Sequence, residues 1–176
     1  MKLALIILLA VSASAYAQQR PTADGGDVKK QEMQKLDNLV GKWKGSGWMM
    51  QGKTRKEFTG TEIVQKKVAG YAILVEGKHF DKKLSKNVVH ETLAVLSYNE
   101  QAKRYDFQTY LANGVSSTFP FVVTDTGYQW SMEFPGAKIC YDITISEGVW
   151  KEVGKISQDD GKSWNRFFEM TLKKQK

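Results

Sequence analysis

From Gly41 onward, apolar residues recur at every second position in segment after segment, and turn signals close the segments. A strand sends successive side chains to opposite faces, so a period of two marks strands with one buried face. Ten strands are expected: Gly41–Met50, Thr54–Lys67, Tyr71–Phe80, Val88–Tyr98, Lys103–Ala112, Val115–Val123, Tyr128–Phe134, Ala137–Ser146, Val149–Ser157 and Lys162–Leu172. Gln51-Gly52-Lys53, Asp125-Thr126-Gly127, Pro135-Gly136, Glu147-Gly148 and Asp159-Asp160-Gly161 read as turns. Asn113-Gly114 is the strongest hairpin signal, because a type I′ turn needs φ > 0 at both central residues. Short turns imply an antiparallel meander. A flat sheet of this size exposes two edges, and closing it removes both. No second helical segment is available to cover an open face. The expected fold is therefore all-β, a single ten-stranded antiparallel up-and-down barrel.

The N-terminus reads differently. Met1-Lys2, the apolar run Leu3–Val11 and the small-x-small site Ala15-Tyr16-Ala17 make the three parts of a secretory signal, expected at 1–17. The run is too short for a membrane span, which needs roughly 20 residues. No Cys follows it to carry a lipoprotein anchor. The protein is thus expected to be secreted or periplasmic, from a bacterial source. Residues 18–27, with Pro21 and Gly25-Gly26, read as a disordered tether. The barrel domain is expected over 28–176. In Val28–Val40, Met33, Leu36, Leu39 and Val40 recur at helical spacing, with Asp27 as the expected N-cap and Gly41 as the stop. Such a helix has one obvious job in a barrel, to close one end.

The formal charge of +7 is spread over lysines in ones and twos, such as Lys66-Lys67, Lys82-Lys83 and Lys173-Lys174. Without an arginine-rich block or a nucleic-acid motif, this reads as a solvated exterior rather than a nucleic-acid surface. Cys140 stands alone, so no intrachain disulfide can form and stability must come from the core. It reads as a half-buried spectator.

Alternation assigns the faces. Tyr105, Phe107, Thr109 and Leu111 share one; Tyr128, Trp130, Met132 and Phe134 another; Ile139, Tyr141, Ile143 and Ile145 a third. The interior is thus expected to be rich in aromatics. Ten strands enclose a wide tube, since diameter grows with strand number. Either the large side chains fill it or a cavity remains. Three polar residues fall on these inner faces: His90 with Thr92, Ala94 and Leu96; Arg166 between Trp164 and Phe168; Glu62 with Phe58 and Val64. Arg166 and Glu62 are a possible pair, and Arg166 and His90 would offer donors to a ligand carboxylate or carbonyl. The candidate ligand residues are Trp43, Glu62, His90, Tyr105, Phe107, Trp130, Tyr141 and Arg166. No Ser-His-Asp set, paired carboxylates or metal-spaced cluster is visible, so no catalytic or metal residue is assigned.

In Gly41-Lys42-Trp43-Lys44-Gly45-Ser46-Gly47-Trp48, Trp43 shares its face with three glycines. A large ring flanked by residues without side chains can lie across the barrel floor, with room left for a close element, expected to be the helix. Gly-x-Trp at the first strand of a barrel, after a short helix, resembles the calycin group, which includes lipocalins and fatty-acid-binding proteins. The Gly-x-Trp-x-Gly-x-Gly form is similar to that of nitrobindin-like barrels of ten strands. Together with Val68-Ala69-Gly70-Tyr71, Leu96-Ser97-Tyr98-Asn99 and Asp160-Gly161-Lys162-Ser163-Trp164, the pattern resembles secreted bacterial lipocalin-like domains over about Leu36–Leu172. The resemblance implies a barrel that holds a lipid or another apolar small molecule. Its alternatives are an isomerase- or cyclase-type enzyme using one polar residue in a dry pocket, or a filled barrel with a structural or partner-binding role. The nitrobindin likeness also implies haem iron held by a histidine late in the barrel. This chain has His79 and His90 and none after. The axial ligand is missing, so no cofactor is expected.

Overall fold

The computed structural model describes residues 23–176, with side chains from Val28 onward. Ten strands follow one helix: α1 Ala23–Gln34, then β1 Gly41–Gln51, β2 Thr54–Lys67, β3 Ala72–Asp81, β4 Val88–Asn99, β5 Arg104–Leu111, β6 Ser116–Thr124, β7 Gly127–Phe134, β8 Ala137–Ser146, β9 Val149–Ser157 and β10 Asn165–Lys174. Each strand pairs antiparallel with its sequence neighbours, and β1 pairs with β10 to close the barrel. The expected all-β meander is the observed one. Strand limits agree with the periodicity to within one residue, except that β10 begins at Asn165, because residues 158–164 form a loop, and runs two residues further, to Lys174. The expected signal at 1–17 lies outside the described residues. No helix among the described residues is long and apolar enough to cross a membrane.

The helix starts earlier than its apolar spacing suggested. It takes in residues 23–27, expected in the tether, so Asp27 lies within it rather than capping it. Pro21, which cannot occupy a helix interior without losing a hydrogen bond, lies two residues before its start. After Gln34 the chain tightens into a 3-10 turn at Asp37–Leu39. Met33, Leu36 and Leu39 still fall on one face, at 2%, 0% and 3% exposure, and plug the barrel end.

Barrel side chains hold that plug. Helix ends leave carbonyls without intrahelical partners. Here the Tyr105 hydroxyl is within hydrogen-bond reach of the Glu32 carbonyl (2.9 Å) and its carboxylate (2.8 Å). Tyr128 Oη donates to the Lys35 carbonyl at 3.0 Å and Trp43 Nε1 to the Leu39 carbonyl at 2.8 Å. Trp43 also meets Trp150 edge to face, 5.6 Å between centroids. It is the floor its sequence context suggested. The glycines beside it serve a different neighbour than expected. A Cβ on Gly45 would lie 2.8 Å from Leu172 Cα, and one on Gly47 would lie 2.5 Å from Phe58 Cζ. They admit the β10 backbone and a core ring, not the helix.

Candidate functional site

Inward-facing residues divide by height. Near the helix, Trp43, Val64, Ile73, Leu96, Tyr128 and Leu172 are each at most 4% exposed. Toward the other end, Phe107, Phe119, Trp130, Met132, Tyr141 and Phe167 face the same interior yet are only half-buried. A side chain on the inner face of a closed wall meets water only through an open end. The barrel is sealed by the helix at one end and presents a partly exposed aromatic cup at the other, filled on its β2, β3 and β10 side by Phe58, His79 and Phe168 at 1%, 4% and 8% exposure. Trp130 and Tyr141 stack face to face at 4.0 Å between centroids. Phe119 lies 5.5 Å and Phe107 5.5 Å from Trp130, so the cup wall is one connected aromatic surface.

One side of the interior is polar. Glu62 on β2 and His79 on β3 are 6% and 4% exposed, with Glu62 Oε1 3.0 Å from His79 Nε2. The His79 ring stacks on Phe58 at 4.6 Å and lies 5.3 Å from the half-buried His90 on β4. His79 Nδ1 is buried with no hydrogen-bond partner. Two missing side chains make room for the pair. A Cβ on Gly60 would come within 2.7 Å of the His79 ring, and one on Gly77 within 2.7 Å of the Glu62 carboxylate. Burial, and then neighbouring His79, push the His90 imidazole down to about 4. Across the barrel Glu152 takes hydrogen bonds from Trp130 Nε1 and Trp150 Nε1, both at 3.2 Å. Burial, reinforced by the charge of Glu62, pushes the Glu152 carboxyl up to about 7, against the two indole donors. Burial also raises Tyr141 well above the ordinary phenol range.

Seven of the eight sequence candidates lie on the inner face. Trp43 and Tyr105 are in the helix plug; Phe107, Trp130, Tyr141 and His90 line the cup; Glu62 lies in its polar wall. Arg166 does not join them. Asn165 pairs with Ile156 and Arg166 with Lys155, but Phe168 pairs with Gly154, so Phe167 is an extra residue. This β-bulge breaks the alternation. Arg166 is turned outward, where it pairs with Glu169 at 3.0 Å. The partner of Glu62 is His79 instead. Sequence reasoning missed His79 and Glu152 as site residues. Both alternate with inner-face positions, His79 with Gly77 and Val75, and Glu152 with Trp150 and Gly154.

The remaining reactive-looking groups are structural. Cys140 points outward beside Asp142, and burial pushes its thiol up to about 11, far from a nucleophile. Asp159 accepts from the Ser163 amide at 2.8 Å and the Ser157 hydroxyl at 2.8 Å, which builds the β9–β10 loop. No metal-holding group of three is present among the described residues. The cup does not fit haem held as the nitrobindin likeness implies. The late inward positions are Trp150, Glu152, Gly154, Ile156, Phe168, Met170 and Leu172, and none supplies an imidazole. Over Gly154 the space is taken by the rings of Tyr141 and Phe167 and the Cβ of Phe168. Two hollows outside the barrel measure about 590 Å³, beside Phe134 and the 158–162 loop, and about 340 Å³, between Met33 and Val68–Gly70.

No family model matches the chain, and no curated protein matches it by sequence. Solved structures match it by shape. One is the crystal structure of Rv2717c from M. tuberculosis, with a TM-score of 0.59 and 12% identity over 82% of this chain and 97% of that one. At that identity the likeness establishes a shared barrel fold.

Proposed function

We propose that this protein is a binding module that takes a lipid or other small apolar molecule into the open half of its barrel. The observation that carries the reading is the contrast in burial along one inner face. The same wall is water-tight at Trp43 and Leu172 and wet at Trp130 and Tyr141. Leaving half-buried aromatics in water forgoes about 25 cal/mol for each Å² of apolar surface, which an apolar guest would recover. The cup is a mouth over a filled floor, so the guest is small, or enters by one end. Native mass spectrometry of freshly purified protein is expected to reveal a bound molecule lost on denaturation. A stripped protein that gives no fluorescence rise with neutral N-phenyl-1-naphthylamine would overturn the reading.

Export belongs to the same proposal and rests on Met1–Ala17 alone. Its test is N-terminal sequencing of protein from the cell envelope, expected to begin at Gln18.

One observation favours an enzyme as a second reading. Glu62 engages His79 through Nε2, and the buried Nδ1 has no hydrogen-bond partner. A carboxylate that fixes an imidazole tautomer in this way supports a general base. Loss of α-proton exchange from a bound ketone in His79→Phe, with binding kept, would support it; no exchange above buffer in the native protein would remove it.

A further inference from the structure

The polar wall does more than interrupt the aromatic cup, because it is built of carboxylates and imidazoles without a lysine or arginine. Between the lip and the helix plug, the inward ionisable side chains include Glu62, Glu152, His79 and His90, and no lysine or arginine occupies an inward strand position there; Lys66 shares the β2 inner face only at the helix end, opposite Ile73, where it pairs with Asp37 at 2.7 Å. Arg166, the cation the sequence placed inside, is outside. Lys56 shares the inner face only at the lip, near Asp81, whose carboxyl is lowered by the Leu84 and Lys83 backbone amides and, to a smaller extent, by the Lys56 charge. On the helix side, Lys174 Nζ lies 5.2 Å from the Trp43 ring, beyond the plug.

We propose that the cup selects ligands whose polar end donates hydrogen bonds, a protonated amine above all, and turns away carboxylates. The inference rests on the cup being the ligand site. Glu62 holds His79 Nε2 at 3.0 Å, and His79 Nδ1 is buried with no hydrogen-bond partner. His90 lies next to it, half-buried, with no side-chain hydrogen bond among the described residues. An ammonium or N–H group entering beside His90 finds an imidazole acceptor there, with Glu62 behind it. A carboxylate entering the same place finds no fixed donor that carries a charge. It also meets Glu62 in a medium where like charges repel several-fold more strongly than in water. Gly60 and Gly77 hold this arrangement open, since any side chain at either position would displace His79 or Glu62.

The test uses three guests with one apolar body: 2-naphthylmethylamine, 2-naphthylmethanol and 2-naphthylacetic acid, titrated calorimetrically into the full protein near neutral pH. The amine is expected to bind at least about tenfold more tightly than the acid, with the alcohol between them. In the double variant Glu62→Gln, His90→Phe, the amine-to-acid ratio is expected to collapse to within about threefold while the alcohol still binds. An acid that binds as tightly as the amine in the native protein overturns this inference and leaves the apolar cup standing. If none of the three binds, the cup reading falls and this inference with it.

Discussion

His79 and Glu62 form a buried pair across adjacent strands, with Nε2 3.0 Å from Oε1 and neither side chain more than 8% exposed. It stands inside a barrel lined mainly with rings and aliphatics. Taking such groups out of water costs several kcal/mol each, and their mutual attraction returns that only with good geometry. The pair is therefore a poor choice for stability alone.

Breaking one side of the pair is expected to cost more than removing both. His79→Phe leaves the Glu62 carboxylate buried without its partner and should lower stability by about 3 kcal/mol. Glu62→Leu with His79→Phe replaces the pair with apolar groups and should return most of that loss. Urea denaturation of the native protein and both variants measures it. A single variant no less stable than the double would mean that the carboxylate reaches water or another donor.

Arg166→Ala is expected to leave both ligand binding and fold stability nearly unchanged, within about 0.5 kcal/mol, since an exposed ion pair contributes little. The Arg166 side chain is 58% exposed and its contact is Glu169. Thermal denaturation and titration with N-phenyl-1-naphthylamine check both halves; a clear drop in affinity would place the guanidinium at the mouth after all.

Arg166 also marks where the sequence stopped being legible. Alternation located ten strands and seven inward candidates, because a period of two is a direct consequence of strand geometry, and spacings of three and four located the closing helix. A bulge has no such signature. The extra residue is Phe167, as apolar as its neighbour Phe168, so the pattern reads smoothly through the slip. His79 was hidden for a different reason. Its neighbours Lys78 and Phe80 are themselves a polar and an apolar residue, and only Gly60 opposite His79 and Gly77 opposite Glu62 reveal that something bulky fills the space. Those glycines lie 17 residues apart in sequence and act together only in the folded sheet. Glu152, on a strand with few long hydrophobics, needed Trp130 and Trp150 in place to be recognised as an interior acid.

Two interior groups should pull stability in opposite directions with pH. The Glu152 carboxyl titrates at about 7 in the folded chain, against an ordinary 4.5. Its folded form holds the proton longer than the unfolded form, so its contribution is full below 4.5 and is lost as pH rises to about 7. The His90 imidazole runs the other way: held down to about 4 from an ordinary 6.5, it costs stability as pH falls through that window. Between those limits the two slopes offset each other. Glu152→Gln is expected to make stability rise with pH over this range, and His90→Phe to make it fall, by about 2–3 kcal/mol across the window in each case. Chemical denaturation at a series of pH values reads both. Parallel curves for native protein and Glu152→Gln would mean that the acid is solvated.

Gly77→Ala should disable the polar wall without touching any of its functional groups. The new methyl would lie 2.7 and 2.8 Å from the two Glu62 carboxylate oxygens and 2.9 Å from Thr92 Cγ2. The glutamate is the neighbour best able to move, because its carboxylate ends a flexible chain, whereas Thr92 Cγ2 sits close to the β4 backbone. The barrel should therefore survive while Glu62 swings off His79 Nε2. The His79 ring, still stacked on Phe58, then loses the carboxylate that fixes its tautomer. The expected result is a folded protein, destabilised by about 2 kcal/mol, whose preference for an amine over a carboxylate guest is reduced. Imidazole nitrogen shifts of His79, followed by NMR, separate the outcomes. A ring that keeps the Nε2–H tautomer in Gly77→Ala would show that Phe58 and the strand, rather than Glu62, hold it in place.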